Sequence, residues 1–221
     1  NSPNQAPFSF PGLGPVPYLC MVTESRMAKI EQVIEGRLSG IACVCENFEK
    51  AHNAAAILRT CEALGILNVY IIEEDFPFSP AKGVTQGAEK WLFLHRYRRA
   101  ERALSAIRER GYRVYAAVPG AGSITVEELP ANEPLALVFG NEATGVSEKT
   151  RAMCDGAFSI PMWGFSQSLN VSVAAAISLY TCAQARRRAL GRKGDLSEEE
   201  RAALRARYIE LSLPPSQRRQ A

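Results

Sequence analysis

The chain has 221 residues, 47% of them apolar and 22% charged, with a formal net charge of +3. This length supports one sizeable core, with room for a small appendage, rather than several domains. No apolar run approaches the roughly 18 residues of a membrane-spanning helix, so no such span is expected. The first residues lack a charged segment followed by an apolar run, so no signal peptide is expected either. Residues 181–221 carry ten Lys/Arg and five Asp/Glu, and the rest is slightly acidic. A basic terminal segment suits a polyanionic partner, or simply a solvated helical face. The six cysteines form no C-x-x-C, and only His52 and His95 could join them, so no metal site is expected. They read as small buried hydrophobes of a reduced, cytoplasmic protein.

Residues 1–22 are rich in Pro and Gly with scattered aromatics and read as an irregular arm. Met27, Ile30, Val33 and Ile34 fall at helical spacing, which predicts a helix over Thr23–Arg37. Ile41–Cys45 has strand length. Asn53 is placed to cap a helix whose apolar face is Ala54, Ile57, Cys61 and Leu64, with Gly65 as its stop. Further strands are predicted at Leu67–Ile72, Leu92–Leu94, Tyr112–Val118, Leu135–Phe139 and Ala157–Ile160. Helices are predicted at Arg98–Arg110, from a Ser147 cap to Met153, and from about Ser168 to Leu190. Ser197 and Glu200 have capping-box spacing for a last helix to about Leu211. Strands alternating with helices indicate an α/β domain with a largely parallel sheet. Ligands of such sheets bind at the carboxyl ends of the strands.

Gly120-Ala-Gly122 follows a strand as a dinucleotide fingerprint does. Its third glycine position is Thr125, and no long helix pattern follows, so no such site is expected. No phosphate-cradling Walker A sequence occurs, and neither histidine marks a hydrolase triad. The richest stretch is Ile160-Pro-Met-Trp-Gly-Phe-Ser-Gln-Ser-Leu-Asn-Val-Ser-Val-Ala174. It is a strand end and a turn, followed by small polar groups that enter an Ala-rich helix. Such a helix start presents free N–H donors and suits an anion, or is simply capped by its own side chains.

Three segments belong together. They are His52-Asn53-Ala-Ala-Ala-Ile-Leu-Arg59-Thr60, Leu137-Val-Phe139-Gly140-Asn141-Glu142-Ala-Thr-Gly145-Val-Ser147, and the Ile160 stretch. They resemble the three motifs of the SpoU/TrmH family of RNA ribose 2′-O-methyltransferases, with a likeness running from about Thr23 to Leu190. The last motif is the most specific of them. The resemblance implies a SPOUT-type methyltransferase domain over residues 23–190 with a C-terminal deep trefoil knot, and leaves 191–221 as a helical extension with a basic tail. It implies a homodimer with its site at the subunit interface, and S-adenosylmethionine as methyl donor. The short flanking regions resemble the tRNA guanosine type, with tRNA as substrate. The second motif reads like the general family, which keeps ribosomal RNA open. A non-catalytic RNA- or cofactor-binding module on the same fold is the alternative from another class.

Carried over residue by residue, Val118, Gly140, Ile160, Met162, Ser168 and Leu169 would meet the cofactor. Asn53, Arg59, Glu142, Ser168 and Asn170 would form the catalytic set. A guanidinium stays protonated below about pH 12, so Arg59 is better cast as a phosphate clamp than as a base. Glu142 could orient Arg59 or accept the proton itself. Asn53, Ser168 and Asn170 could also serve as helix caps. Trp163 and Phe165 can stack on a base or cofactor, or pack at a dimer interface. The clusters Lys90/Arg96/Arg98/Arg99 and Arg186/Arg187/Arg188/Arg192/Lys193 are each either RNA phosphate contacts or solvated helix ends.

Overall fold

The computed structural model describes residues 22–120 and 122–214. Most of the Pro-rich arm, Cys20 and the Arg218-Arg219 tail lie outside the described residues. Seven strands form one parallel sheet in the order β3-β2-β1-β6-β4-β7-β5. They are β1 Leu38–Glu46, β2 Ile66–Ile72, β3 Phe93–Tyr97, β4 Arg113–Ala117, β5 Ile124–Thr125, β6 Leu135–Phe139 and β7 Gly156–Ser159. The helices are α1 Glu24–Glu35, α2 Ala51–Leu64, α3 Lys82–Thr85, α4 Ala100–Glu109, α5 Glu148–Ala152, α6 Val171–Leu190 and α7 Glu198–Ser212. No helix among the described residues is long and apolar enough to cross a membrane.

Alternation along the central strands builds two cores. Ile41, Cys43 and Cys45 of β1, with Leu135, Leu137 and Phe139 of β6, pack beneath α2 and α6 against Ile57, Leu58, Leu179 and Cys182. Ala42, Val44, Ala136 and Val138 face the other way, against Leu104 and Ile107 of α4. Ile57 and Leu58 are fully buried, a gain of about 1.5–3 kcal/mol for each such side chain. A third cluster joins α1 to α7 through Ile30, Ile34, Leu204, Tyr208 and Ile209. The Trp91 ring stands edge-on to Tyr208 there, with centroids 5.2 Å apart.

Strand β1 is longer than its apolar run because polar residues at both ends are buried with partners. At its start, the Asp195 carboxylate accepts from Ser39 N at 2.6 Å and Gly40 N at 2.9 Å. At its end, Glu46 accepts from Ser147 N at 2.9 Å and Ser147 Oγ at 2.6 Å, and from Thr150 Oγ1. The capping box at Ser197/Glu200 and the Ser147 cap form as the spacing predicts. The Gly120-Ala-Gly122 segment leads into two-residue β5 and a short 3₁₀ turn at Val126–Glu128, so no helix dipole faces a pyrophosphate there.

Two members of the C-terminal basic cluster are spent inside the fold. Arg186 is buried, pairs with Asp195, and donates to the carbonyls of Ala131 at 3.3 Å and Glu133 at 3.0 Å. Its guanidinium occupies the space a side chain at position 40 would need, since a Cβ on Gly40 would lie 2.0 Å from it. Arg187 donates to the carbonyls of Gly36 at 3.0 Å, Leu64 at 2.8 Å and Lys193 at 2.7 Å. These two arginines tie the chain together and are not free for phosphates. Arg188 and Arg192 stay exposed. In the other cluster, Arg96 pairs with Glu73 at 3.1 Å and Arg99 with Glu101 at 3.5 Å.

Candidate active site

The loops leaving β4, β6 and β7 and the start of α6 enclose a cavity of about 500 Å³. It lies at the carboxyl ends of the strands, where parallel α/β sheets bind ligands. Val118, Gly140, Ile160, Met162, Ser168 and Leu169 all line it. Its floor is apolar, from Phe139, Phe158 and Ile160, and its rim is polar. Its size falls within the roughly 300–1,000 Å³ range of small-molecule sites.

The rim is built by loop hydrogen bonds. Asn141 Oδ1 accepts from Ala143 N at 2.8 Å and Thr144 N at 3.2 Å, while its Nδ2 donates to Asn47 O at 2.9 Å. The loop folds back so far that a Cβ on Gly140 would sit 2.1 Å from the Gly145 carbonyl carbon. Gly140 is therefore required by its own loop, whatever ligand approaches it.

Three of the expected catalytic residues, Glu142, Ser168 and Asn170, line the cavity. Asn53 stands behind them. Asn53 Nδ2 donates to Glu142 Oε1 at 3.0 Å, and Asn53 Oδ1 accepts from Asn170 Nδ2 at 3.2 Å. One amide thus joins the three motifs. This departs from its expected role as a helix cap: the N-cap of α2 is Lys50, without a side-chain cap bond, and Asn53 is already inside the helix. Asn170 is the cap of α6, accepting from Ser172 N at 2.9 Å, so that helix starts at Val171 rather than near Ser168. Ser168 is exposed and makes no hydrogen bond among the described residues.

Glu142 also accepts from Glu49 N at 3.2 Å and Lys50 N at 3.1 Å. Partial burial alone would raise its pKa. The donors from Asn53, its own backbone, Glu49 and Lys50 outweigh that, and its pKa lies below the usual value. An ionised carboxylate holding three donors is a brace for the loop before α2, and a poor proton acceptor. It does not orient Arg59 within the chain. Arg59 is exposed, does not line the cavity, and donates to Val84 O of α3 at 3.3 Å.

Trp163 and Phe165 project from the third-motif loop at 95% and 109% exposure, and neither lines the cavity. Val173, Ile177 and Tyr180 continue an exposed apolar stripe along α6 at helical spacing. Sequence reasoning did not select Lys50 and Gln167 as site residues, though both line the cavity. Gln167 sits within the third motif. Lys50 carried no signal beyond its nearness to Asn53. Among the described residues, no group of three His, Cys, Asp or Glu is placed to hold a metal ion.

A parallel α/β sheet with a half-apolar cavity built from three loops at its carboxyl edge defines a small-molecule-binding α/β protein. The family model described as the SpoU rRNA Methylase family matches residues 40–180. The chain is 38% identical over 167 residues to the tRNA (guanosine(18)-2′-O)-methyltransferase of Thermus thermophilus, covering 76% of this chain and 86% of that protein. It is 35% identical over 187 residues to the enzyme of that name from Borreliella burgdorferi, covering 85% of each. The crystal structure of the Aquifex aeolicus TrmH/SpoU tRNA modifying enzyme superposes with a TM-score of 0.76 at 32% identity, covering 86% of this chain and 98% of that one. The chain belongs to the SpoU RNA methylase family.

Proposed function

We propose that this protein is a cytoplasmic, homodimeric methyltransferase that acts on a ribose 2′-hydroxyl of tRNA, at a guanosine, with S-adenosylmethionine as donor. The observation that carries this reading is the cavity at the carboxyl edge, lined by the second and third motif loops, with Asn53 of the first motif bonded to both of them. When bound, S-adenosylmethionine supplies a methyl group already activated on a sulfonium, so no metal is required. The residues present fit it. Phe139, Phe158, Ile160 and Met162 offer apolar walls for an adenine-sized ring, and Ser168 and Gln167 offer polar groups at the rim.

The polar residues position the acceptor. Glu142, Asn53 and Asn170 lock the three loops into one arrangement, and orientation of this kind can supply a large part of a rate enhancement. Ser168 is left free to hydrogen-bond a reactant. Arg59 clamps a phosphate beside the target ribose rather than taking its proton. It lies outside the cavity of its own protomer, which fits a site completed by a second copy. The stripe Val173, Ile177 and Tyr180, with Trp163 and Phe165, supplies an apolar surface for that contact.

The family description names ribosomal RNA, whereas the relatives that match over most of their length are named for tRNA guanosine-18. The near-complete coverage of the Aquifex enzyme favours tRNA. Tritiated methyl transfer to bulk tRNA and to ribosomal RNA tests the choice. Label in tRNA alone is expected. Label confined to ribosomal RNA would reassign the substrate. Binding of donor and RNA without transfer would favour a non-catalytic module.

A further inference from the structure

Lys50 is the only lysine or arginine lining the cavity among the described residues. Its main chain is fixed twice: its N–H donates to Glu142 Oε1 at 3.1 Å, and its carbonyl accepts from Asn53 N at 3.0 Å. Its side chain forms no hydrogen bond or ion pair among the described residues, and the residue is exposed. A rigid backbone thus presents an uncommitted ammonium at the mouth of the cavity. The arginines that pair inside the fold contrast with it, because Arg186 and Arg37 are committed to carboxylates and carbonyls.

The same helix extends the positive track. Arg59 is exposed on α2, and exposed Lys82 begins α3 beside it. Glu142, the one acidic residue lining the cavity among the described residues, has its oxygens held by three N–H donors. The cavity lining therefore includes an exposed cation that makes no hydrogen bond or ion pair among the described residues.

We propose that the Lys50 ammonium is a positioning group that binds a backbone phosphate of the RNA flanking the target ribose. The inference rests on the reading of the protein as an RNA methyltransferase and assigns part of its RNA contact. A lysine suits this role as a compact point charge with three donors that needs no fixed acceptor geometry. Its contribution is electrostatic, so it weakens with salt.

The test uses the full chain and tRNA. Lys50→Ala should raise the tRNA Kd about five-fold at moderate salt, the expected size of one exposed charge contact. It should also lower the slope of log Kd against log salt by about one. S-adenosylmethionine affinity and thermal midpoint should stay unchanged, and Lys50→Arg should recover most of the tRNA affinity. A loss of donor affinity with tRNA affinity intact would overturn the proposal and assign the ammonium to the donor's carboxylate. An unchanged tRNA Kd and salt slope would overturn it as well. Wild-type protein that transfers no methyl group to any RNA would instead sink the functional reading on which the proposal rests.

Discussion

The two ends of the sheet are both polar, yet they are built oppositely. At the amino ends of β1 and β6, Arg37, Arg186 and Arg187 are each held by carboxylates or carbonyls, although Arg37 Nε is buried without a hydrogen-bond partner. Arg186 pairs with Asp195 and three carbonyls, Arg187 caps three more, and Arg37 donates to the Glu62 carbonyl and carboxylate at 2.9 Å. At the carboxyl ends, Glu142, Asn53 and Asn170 bond to one another, but Ser168 and the Lys50 ammonium remain uncommitted. Saturated polar groups hold a chain together, and unsaturated ones at a cavity are available to a ligand. The difference separates structural arginines from functional residues better than charge count does.

The largest expected effect lies at the closed end. Arg186→Met removes one partner of an ion pair whose side chains are 10% and 3% exposed and leaves Asp195 buried without its cation. A loss of about 3–5 kcal/mol is expected, lowering the thermal midpoint by roughly 6–20 °C. Calorimetry reads it directly, and a midpoint shift near zero would erase the contrast between the two ends. Arg59→Ala, on the exposed face of α2, should do the reverse. Methyl transfer should fall by about 100-fold or more, while midpoint and donor affinity hold; loss of donor binding would contradict the clamp role.

Between these lies Asn170, which caps α6 and also lines the cavity. Asn170→Ala should cost about 1 kcal/mol as a lost cap, a few degrees of midpoint, and should also slow transfer. A change in stability alone would make it a cap and nothing more. A separate effect concerns pH. Burial, with the charges of Arg110 and Arg207, depresses the His95 pKa from 6.5 to about 4. The folded state thus resists protonation that the unfolded chain accepts. Stability is expected to decline as pH falls from 6.5 to 4, with no further His95 contribution below that. Replacing His95 with Gln should flatten that part of a denaturation series, and an unaltered pH profile would rule out the half-buried neutral histidine.

Much of the fold was legible because local signals agreed with the tertiary outcome. Ser147, Ser197 and Glu200 cap as their spacing requires, and β6 has the ends its apolar run suggests. Strand β1 was under-read because Ser39, Gly40 and Glu46 look like strand ends. Their partners, Asp195, Ser147 and Thr150, lie more than 100 residues away. Short β5 and α3 carry too few residues for any periodicity. The six residues expected to face the cofactor come from the family resemblance, and all six line one cavity. The bridging role of Asn53 was hidden because capping chemistry explained the same residue from local sequence alone. Threading of the chain leaves no periodic trace in a sequence, so the knot rests on the family resemblance.

The most direct test of the central claim is to incubate the protein with labelled S-adenosylmethionine and tRNA, digest the RNA to nucleosides, and identify the labelled product. A functional carboxyl edge predicts label in a 2′-O-methylated nucleoside, with guanosine expected. Label on a base, or none in any RNA, would contradict it.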